Sequence, residues 1–185
     1  MGGAGAEIAA LPDLGCLTSG TCTFTKDLCP AGFYCVEGTV APKACPDGTY
    51  SRAGAPGEQA CAACEAGYYC RNGTRQELPC PPGHYCTAGL AEPTPCPKQT
   101  YTTREGADSL AKCLSCPPGY LCDDSGISDL AAYACPPGHY CPQGTLEALP
   151  CPVSTYRPTG AGTSERTCDP CPPGFYCSQL ATVTP

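Results

Sequence analysis

The chain has no tryptophan and a single methionine among its 185 residues, and Leu, Ile, Val and Phe together number 22. That is about 12%, and a chain below roughly 20% ordinarily stays disordered. A conventional apolar core is therefore excluded at this length, and cross-links of another kind must hold any fold together. Clusters of basic residues are missing too. With a net charge of −7 and a pI near 4.7, the chain lacks the electrostatic footprint of a binder of nucleic acid or of anionic membranes. No apolar run approaches the roughly 18 residues of a membrane span. The Met-Gly-Gly-Ala-Gly-Ala start has neither the basic nor the apolar region of a signal peptide, its first basic residue being Lys26.

What the chain has instead is cysteine, 20 residues of it, above the roughly 8–10% that marks a disulfide scaffold. Closing a loop of about 15 residues stabilises by roughly 3 kcal/mol, mainly by restricting the unfolded chain. Such bonds persist only in an oxidising compartment, so the expected location is extracellular or at a cell surface.

The cysteines repeat. A heptapeptide of the form Cys-Pro-x-Gly-aromatic-Tyr-Cys occurs six times with small changes: CPAGFYC at 29–35, CEAGYYC at 64–70, CPPGHYC at 80–86 and 135–141, CPPGYLC at 116–122, and CPPGFYC at 171–177. A second motif, Cys-Pro-x-x-Thr-Tyr, stands at 45–50, 96–101 and 151–156. A third, Cys-x-x-Cys, pairs Cys61 with Cys64, Cys113 with Cys116 and Cys168 with Cys171. Matching cysteines recur after 51 residues (Cys29 to Cys80) and after 55 (Cys80 to Cys135), the signature of a repeat array. The expected organisation is an N-terminal segment 1–28 with the remnant of a preceding repeat, then repeats 29–79, 80–134 and a truncated 135–185. The first repeat holds Cys29, Cys35, Cys45, Cys61, Cys64 and Cys70. The second holds Cys80, Cys86, Cys96, Cys113, Cys116 and Cys122, and the third Cys135, Cys141, Cys151, Cys168, Cys171 and Cys177. Cys16 and Cys22 are spaced like Cys64 and Cys70. Both ends interrupt the pattern, and the expectation is a stretch of a longer repeat protein.

Pro fixes φ and Gly supplies a conformation closed to other residues, so each heptapeptide reads as a turn. Pro and Gly, 23 and 22 residues, interrupt any long helix. The fold class expected is small disulfide-rich repeats, an elongated rod of short β-hairpins and turns with little regular secondary structure. Ten of the eleven tyrosines lie in the motifs, and their rings are expected to pack over neighbouring disulfides. Two pairings fit the spacing. In one, Cys45–Cys61 closes a loop while Cys64–Cys80 interleaves with Cys70–Cys86, and so on along the chain; in the other, each heptapeptide closes on itself. The interleaved pattern is favoured, because it accounts for a chain that begins with Cys16 and Cys22.

The stretch from Cys45 (CPDGTY…CAAC) resembles the cysteine-rich repeats of tumour-necrosis-factor receptors, which implies pairing in the order 1–2, 3–5, 4–6. The array from Cys16 to Cys177 is more similar to the ephrin-receptor-like, GCC-type cysteine-rich repeats of protist and algal surface proteins, flagellar hairs (mastigonemes) among them. The resemblance implies spacers, adhesion modules or structural filaments.

Other chemistry finds little support. The Cys-x-x-Cys pairs read poorly as zinc or redox sites when each repeat has six cysteines and the chain only two histidines. His84 and His139 occupy the aromatic position of their heptapeptides, which assigns them to packing. Asp123-Asp124-Ser125-Gly126 is an acidic turn lacking the other ligands of a calcium loop. No catalytic, cofactor or metal residue is expected. Asn72-Gly73-Thr74 is an N-glycosylation acceptor in a spacer. The spacer 123–134 departs most from its siblings and is the first candidate for a contact site. The function expected is a non-enzymatic extracellular structural rod in a surface filament, flagellar hair or coat, the alternative being a receptor or adhesin ectodomain. Its partners would be other extracellular or filament proteins, or further copies of itself.

Overall fold

A single turn recurs along the chain. The computed structural model describes residues 27–71 and 77–185; Cys16, Cys22 and Asn72 lie outside the described residues. In the first turn the Phe33 N–H donates to the Pro30 carbonyl at 3.2 Å, and Gly32 sits at φ 84°. A positive φ at the third of four residues makes this a type II turn, which favours Gly there and Pro just before it. The CPPG sequences meet both preferences at Pro82-Gly83 and Pro137-Gly138.

The Cys-Pro-x-x-Thr-Tyr motif is the same turn. Thr49, Thr100 and Thr155 donate their N–H to Pro46, Pro97 and Pro152. Their hydroxyls donate to the same carbonyls at 2.6–2.7 Å, which explains the recurrent Thr. Gln99 and Ser154 hold the left-handed position at φ 69° and 67° without being Gly.

Each turn launches a two-residue strand that pairs antiparallel with the last two residues before the next turn. Phe33–Tyr34 pairs with Lys43–Ala44, Thr49–Tyr50 with Ala62–Ala63, and Tyr68–Tyr69 with Leu78–Pro79. His84–Tyr85 pairs with Thr94–Pro95 and Thr100–Tyr101 with Leu114–Ser115. His139–Tyr140 pairs with Leu149–Pro150, and Thr155–Tyr156 with Asp169–Pro170. Between 116 and 134 the pairing shrinks to one bridge, Tyr120 to Ala134. The described residues contain no α-helix, only four short 3-10 turns. The array is thus a series of small disulfide-rich β-hairpins. Its modules span 29–44, 45–63, 64–79, 80–95, 96–115, 116–134, 135–150 and 151–170, with a ninth turn from 171. The first and second six-cysteine repeats each comprise three such modules of 16–20 residues, and the third comprises two and the ninth turn.

Consecutive modules dock through their backbones in one register. The turn residue three after the leading cysteine donates its N–H to the carbonyl of the seventh residue of the next module: Gly32 to Ser51, Gly48 to Cys70, Gly67 to Cys86, Gly83 to Thr102, Gln99 to Cys122, Gly119 to Cys141, Gly138 to Arg157 and Ser154 to Cys177, all at 2.7–2.9 Å. Its own carbonyl accepts from the next leading cysteine at all eight junctions, from Cys45 N–H to Gly32 through Cys171 N–H to Ser154. A second left-handed residue, such as Gly89, Gly106 or Gly126, donates back to the leading cysteine of the module before it (Cys64, Cys80, Cys96). At about 1 kcal/mol net per bond, a junction gains a few kcal/mol from the backbone alone.

The two left-handed positions also meet across two modules. A Cβ on Gly48, Gly67 or Gly83 would strike the carbonyl of Gly89, Gly106 or Gly126 respectively. Gly is needed there for space as well as for φ. What is buried between the modules is sulfur: the largest fully buried side chains are eleven cysteines and Ser51.

These geometries separate two kinds of substitution. Gln99→Gly and Ser154→Gly each relieve a left-handed side chain and are expected to stabilise the oxidised chain by about 0.5–1 kcal/mol, after allowing for the extra freedom of unfolded Gly. Gly83→Ala is expected to destabilise it by more than that. Thermal midpoints of the three variants check the signs, and a loss of stability in both Gly variants would contradict the assignment.

Candidate functional site

The features that set this chain apart are its disulfides and the junctions they stiffen. The heptapeptides close on themselves: Cys29–Cys35, Cys64–Cys70, Cys80–Cys86, Cys116–Cys122, Cys135–Cys141 and Cys171–Cys177. Their Cα atoms lie 5.8–6.1 Å apart, within the span a disulfide bridges. The modules that open with Cys-Pro-x-x-Thr-Tyr use a longer loop, Cys45–Cys61, Cys96–Cys113 and Cys151–Cys168. No free cysteine occurs among the described residues.

The three long loops match the pattern favoured from the sequence, while the closed heptapeptides correct its interleaved pairs, such as Cys64–Cys80 with Cys70–Cys86. The register explains why. Tyr68 faces Pro79, so Cys80 falls opposite Gly67, to whose carbonyl its N–H donates at 2.8 Å. The next leading cysteine therefore meets the turn glycine, while the two cysteines of a heptapeptide flank a turn that folds them together. Of the order 1–2, 3–5, 4–6 counted from Cys45, the first pair is present and the other two fail for the same reason. The chain-entropy account assigns about 2 kcal/mol to each short loop and about 3 to each long one.

Each Cys-x-x-Cys pair is divided between modules. Cys61 ends one loop and Cys64 opens the next; Cys113 and Cys116, and Cys168 and Cys171, do likewise. In the long-loop modules the seventh position holds Ser51, Thr102 or Arg157 in place of cysteine. Ser51 is 2% exposed and its hydroxyl donates across the junction to the Phe33 carbonyl at 2.8 Å. Arg157 instead turns into its own module, its guanidinium donating to the carbonyls of Thr167 and Gly160 at 2.6 and 2.9 Å.

The histidines fold onto their own turns. Nδ1 of His84 lies 3.1 Å from the Pro82 carbonyl, and Nδ1 of His139 lies 3.0 Å from that of Pro137. A carbonyl only accepts, so Nδ1 carries the proton in each contact. The tyrosine rings of the closed hairpins are mostly half-buried. The Tyr34 hydroxyl reaches Glu58 of the next module at 3.5 Å.

The spacer 123–134 is largely exposed but contributes one buried side chain to a small core. Ile127 is 2% exposed against the Cys116–Cys122 disulfide, with Tyr101, Tyr120, Leu130 and Tyr133 packed around it. Gly126 of the acidic turn is a junction residue, donating to the Cys96 carbonyl at 2.8 Å. Asp124 accepts the Tyr133 hydroxyl at 3.4 Å. Local desolvation, then the charges of Asp124 and Asp123, push that phenol above its ordinary pKa. Sequence reading missed this cluster, although Ile127, one of only two isoleucines, was the signal. No group of three or more His, Cys, Asp or Glu residues is arranged to hold a metal among the described residues. Over the loop of the fifth module lies an open depression of about 480 Å³ lined by Thr102, Arg104, Glu105, Lys112 and Leu114.

The nine disulfides among the described residues require an oxidising compartment, so this is an extracellular, secreted or surface protein. No helix among the described residues is long and apolar enough to cross a membrane.

Ile127→Ala is expected to cost about 2–4 kcal/mol locally, the usual range for emptying a buried aliphatic site. Hydrogen exchange should quicken at Thr102 and Leu121, whose amides are bonded within that spacer's reach, and stay unchanged at Cys45. Uniform loss of protection along the chain would contradict a local core. Compared with protein-family models and with curated proteins, the chain matches none.

Proposed function

We propose that this chain is an architectural, non-enzymatic rod of the GCC-type cysteine-rich class, part of an extracellular filament, flagellar hair or surface coat. The observation that carries the reading is the identical backbone register at all eight junctions. Backbone docking asks nothing of the exposed side chains, so modules with different surfaces stack alike and the array lengthens by simple repetition. Disulfides confined within modules keep each unit closed under shear and proteolysis. The most divergent spacer turns its apolar residues inward onto Cys116–Cys122, which supports a scaffold over a ligand-presenting ectodomain. Other extracellular or filament proteins, or further copies, are the partners that such a rod would meet side by side.

Immunogold labelling of intact, unpermeabilised cells with antibodies against the folded chain tests this. Label along thin surface filaments or a continuous coat is the expected result. Isolated points of label that cluster when a soluble ligand is added would move the assignment to a receptor or adhesin.

A further inference from the structure

The three long-loop modules share one backbone but enclose different interiors. In each, a left-handed residue donates its N–H to a leading cysteine carbonyl: Gly54 to Cys29, Gly106 to Cys80 and Ala161 to Cys135. A 3-10 turn then closes the loop, at Glu58–Ala60, Leu110–Lys112 and Glu165–Thr167, and the cysteine after it lies at φ −76° to −82°. The carbonyls just before the left-handed residue and just before the closing cysteine therefore stand in matching places. They belong to Ala53 and Ala60 in the second module, Glu105 and Lys112 in the fifth, and Gly160 and Thr167 in the eighth.

In the eighth module one guanidinium joins the pair, Arg157 donating to Thr167 at 2.6 Å and to Gly160 at 2.9 Å. In the other two its position holds Ser51 or Thr102, and the four carbonyls accept no hydrogen bond within the described residues. The space beside them is open. Ser51, Ala53, Ala55 and Ala60 line a depression of about 390 Å³, and Thr102, Glu105, Ala107 and Lys112 one of about 480 Å³.

The floors differ by one methyl group. Gly162, Ala55 and Ala107 are counterparts, their carbonyls accepting from Cys141, Cys35 and Cys86. A Cβ on Gly162 would lie 2.9 Å from Arg157 Nε, whereas the two alanines are 6% and 5% exposed. Their methyls bar a guanidinium that rises from the floor and leave the carbonyls to one arriving from solvent.

We propose that these two depressions are docking sites for arginine side chains of a partner polypeptide. The incoming guanidinium sets its terminal N–H groups on the carbonyl pair, as Arg157 does, and rests on the alanine methyl. A planar fork of donors fits two fixed carbonyls where a compact ammonium does not. The net charge of −7 draws a cationic partner toward the chain. At the fifth module the exposed Arg104 and Lys112 are balanced by Glu105 and Asp108 of the same loop. The inference rests on the loop geometry and holds whichever extracellular role the rod has.

The test titrates the full oxidised chain with an end-blocked Gly-Arg-Gly peptide and follows amide chemical shifts. Saturable shifts are expected at Ala62 and Leu114 and none at Asp169, their counterpart beside Arg157. The lysine peptide is expected to bind roughly tenfold more weakly, because it lacks the fork. Thr102→Arg combined with Ala107→Gly copies the Arg157–Gly162 pair, and should abolish the response at Leu114 while leaving that at Ala62. Arg157→Ser combined with Gly162→Ala should create a response at Asp169. Absence of saturable shifts at both Ala62 and Leu114 in the unaltered chain would overturn the proposal. So would equal binding of the arginine and lysine peptides, or a response at Leu114 that survives the Arg–Gly pair.

Discussion

The peptide groups on either side of one turn residue per module hold the array together. That residue, Gly at seven of the nine turns, sends its N–H forward and takes the next leading cysteine's N–H on its carbonyl. Both bonds require a left-handed φ, which turns the two groups out of the hairpin and toward the neighbour. The short strands, the buried sulfurs and the two-module spacing between Gly48 and Gly89 follow from this arrangement. A chain with so few aliphatic residues has little else to bury between its modules, and disulfides occupy the space where leucines would otherwise stand.

The division of labour between covalent and non-covalent bonds is sharp. Disulfides close each module over 6, 16 or 17 residues, and among the described residues none crosses a junction. The junctions are held by backbone hydrogen bonds, and most of the cysteines are buried. Reduction therefore removes the closure of each unit, while strain applied along the array falls first on bonds that re-form. This combination suits a rod that must bend and recover, and it is independent of the surface each module shows to the outside.

Much of this was legible in the residues. Pro and Gly between two cysteines announced the turn, and the scarcity of Leu, Ile, Val and Phe announced a cross-linked repeat without a conventional core. The smaller period was hidden by chemistry: Cys-Pro-x-x-Thr-Tyr and Cys-Pro-x-Gly-aromatic-Tyr-Cys look like two motifs, yet both place Cys-Pro before the turn and Tyr two residues after it. Gln99 and Ser154 in the glycine position, and Ser51, Thr102 and Arg157 in that of the second cysteine, masked the identity. The long loops Cys45–Cys61, Cys96–Cys113 and Cys151–Cys168 were legible. The pairing of the heptapeptide cysteines was not, because spacing does not report register; only the alignment of Tyr68 with Pro79 places Cys80 opposite Gly67. The polar composition of the 123–134 spacer hides one buried residue, Ile127.

The claim that every disulfide stays within its own hairpin meets its most direct test between Cys70 and Cys80. The Arg71 side chain, 64% exposed, offers a trypsin site there. Tryptic cleavage of the non-reduced protein after Arg71, whatever other bonds are cut, followed by separation in denaturant, should free the fragment holding Cys64–Cys70 from that holding Cys80–Cys86 without any reductant. Fragments that stay joined until a reductant is added would place a bridge across the junction and contradict the account.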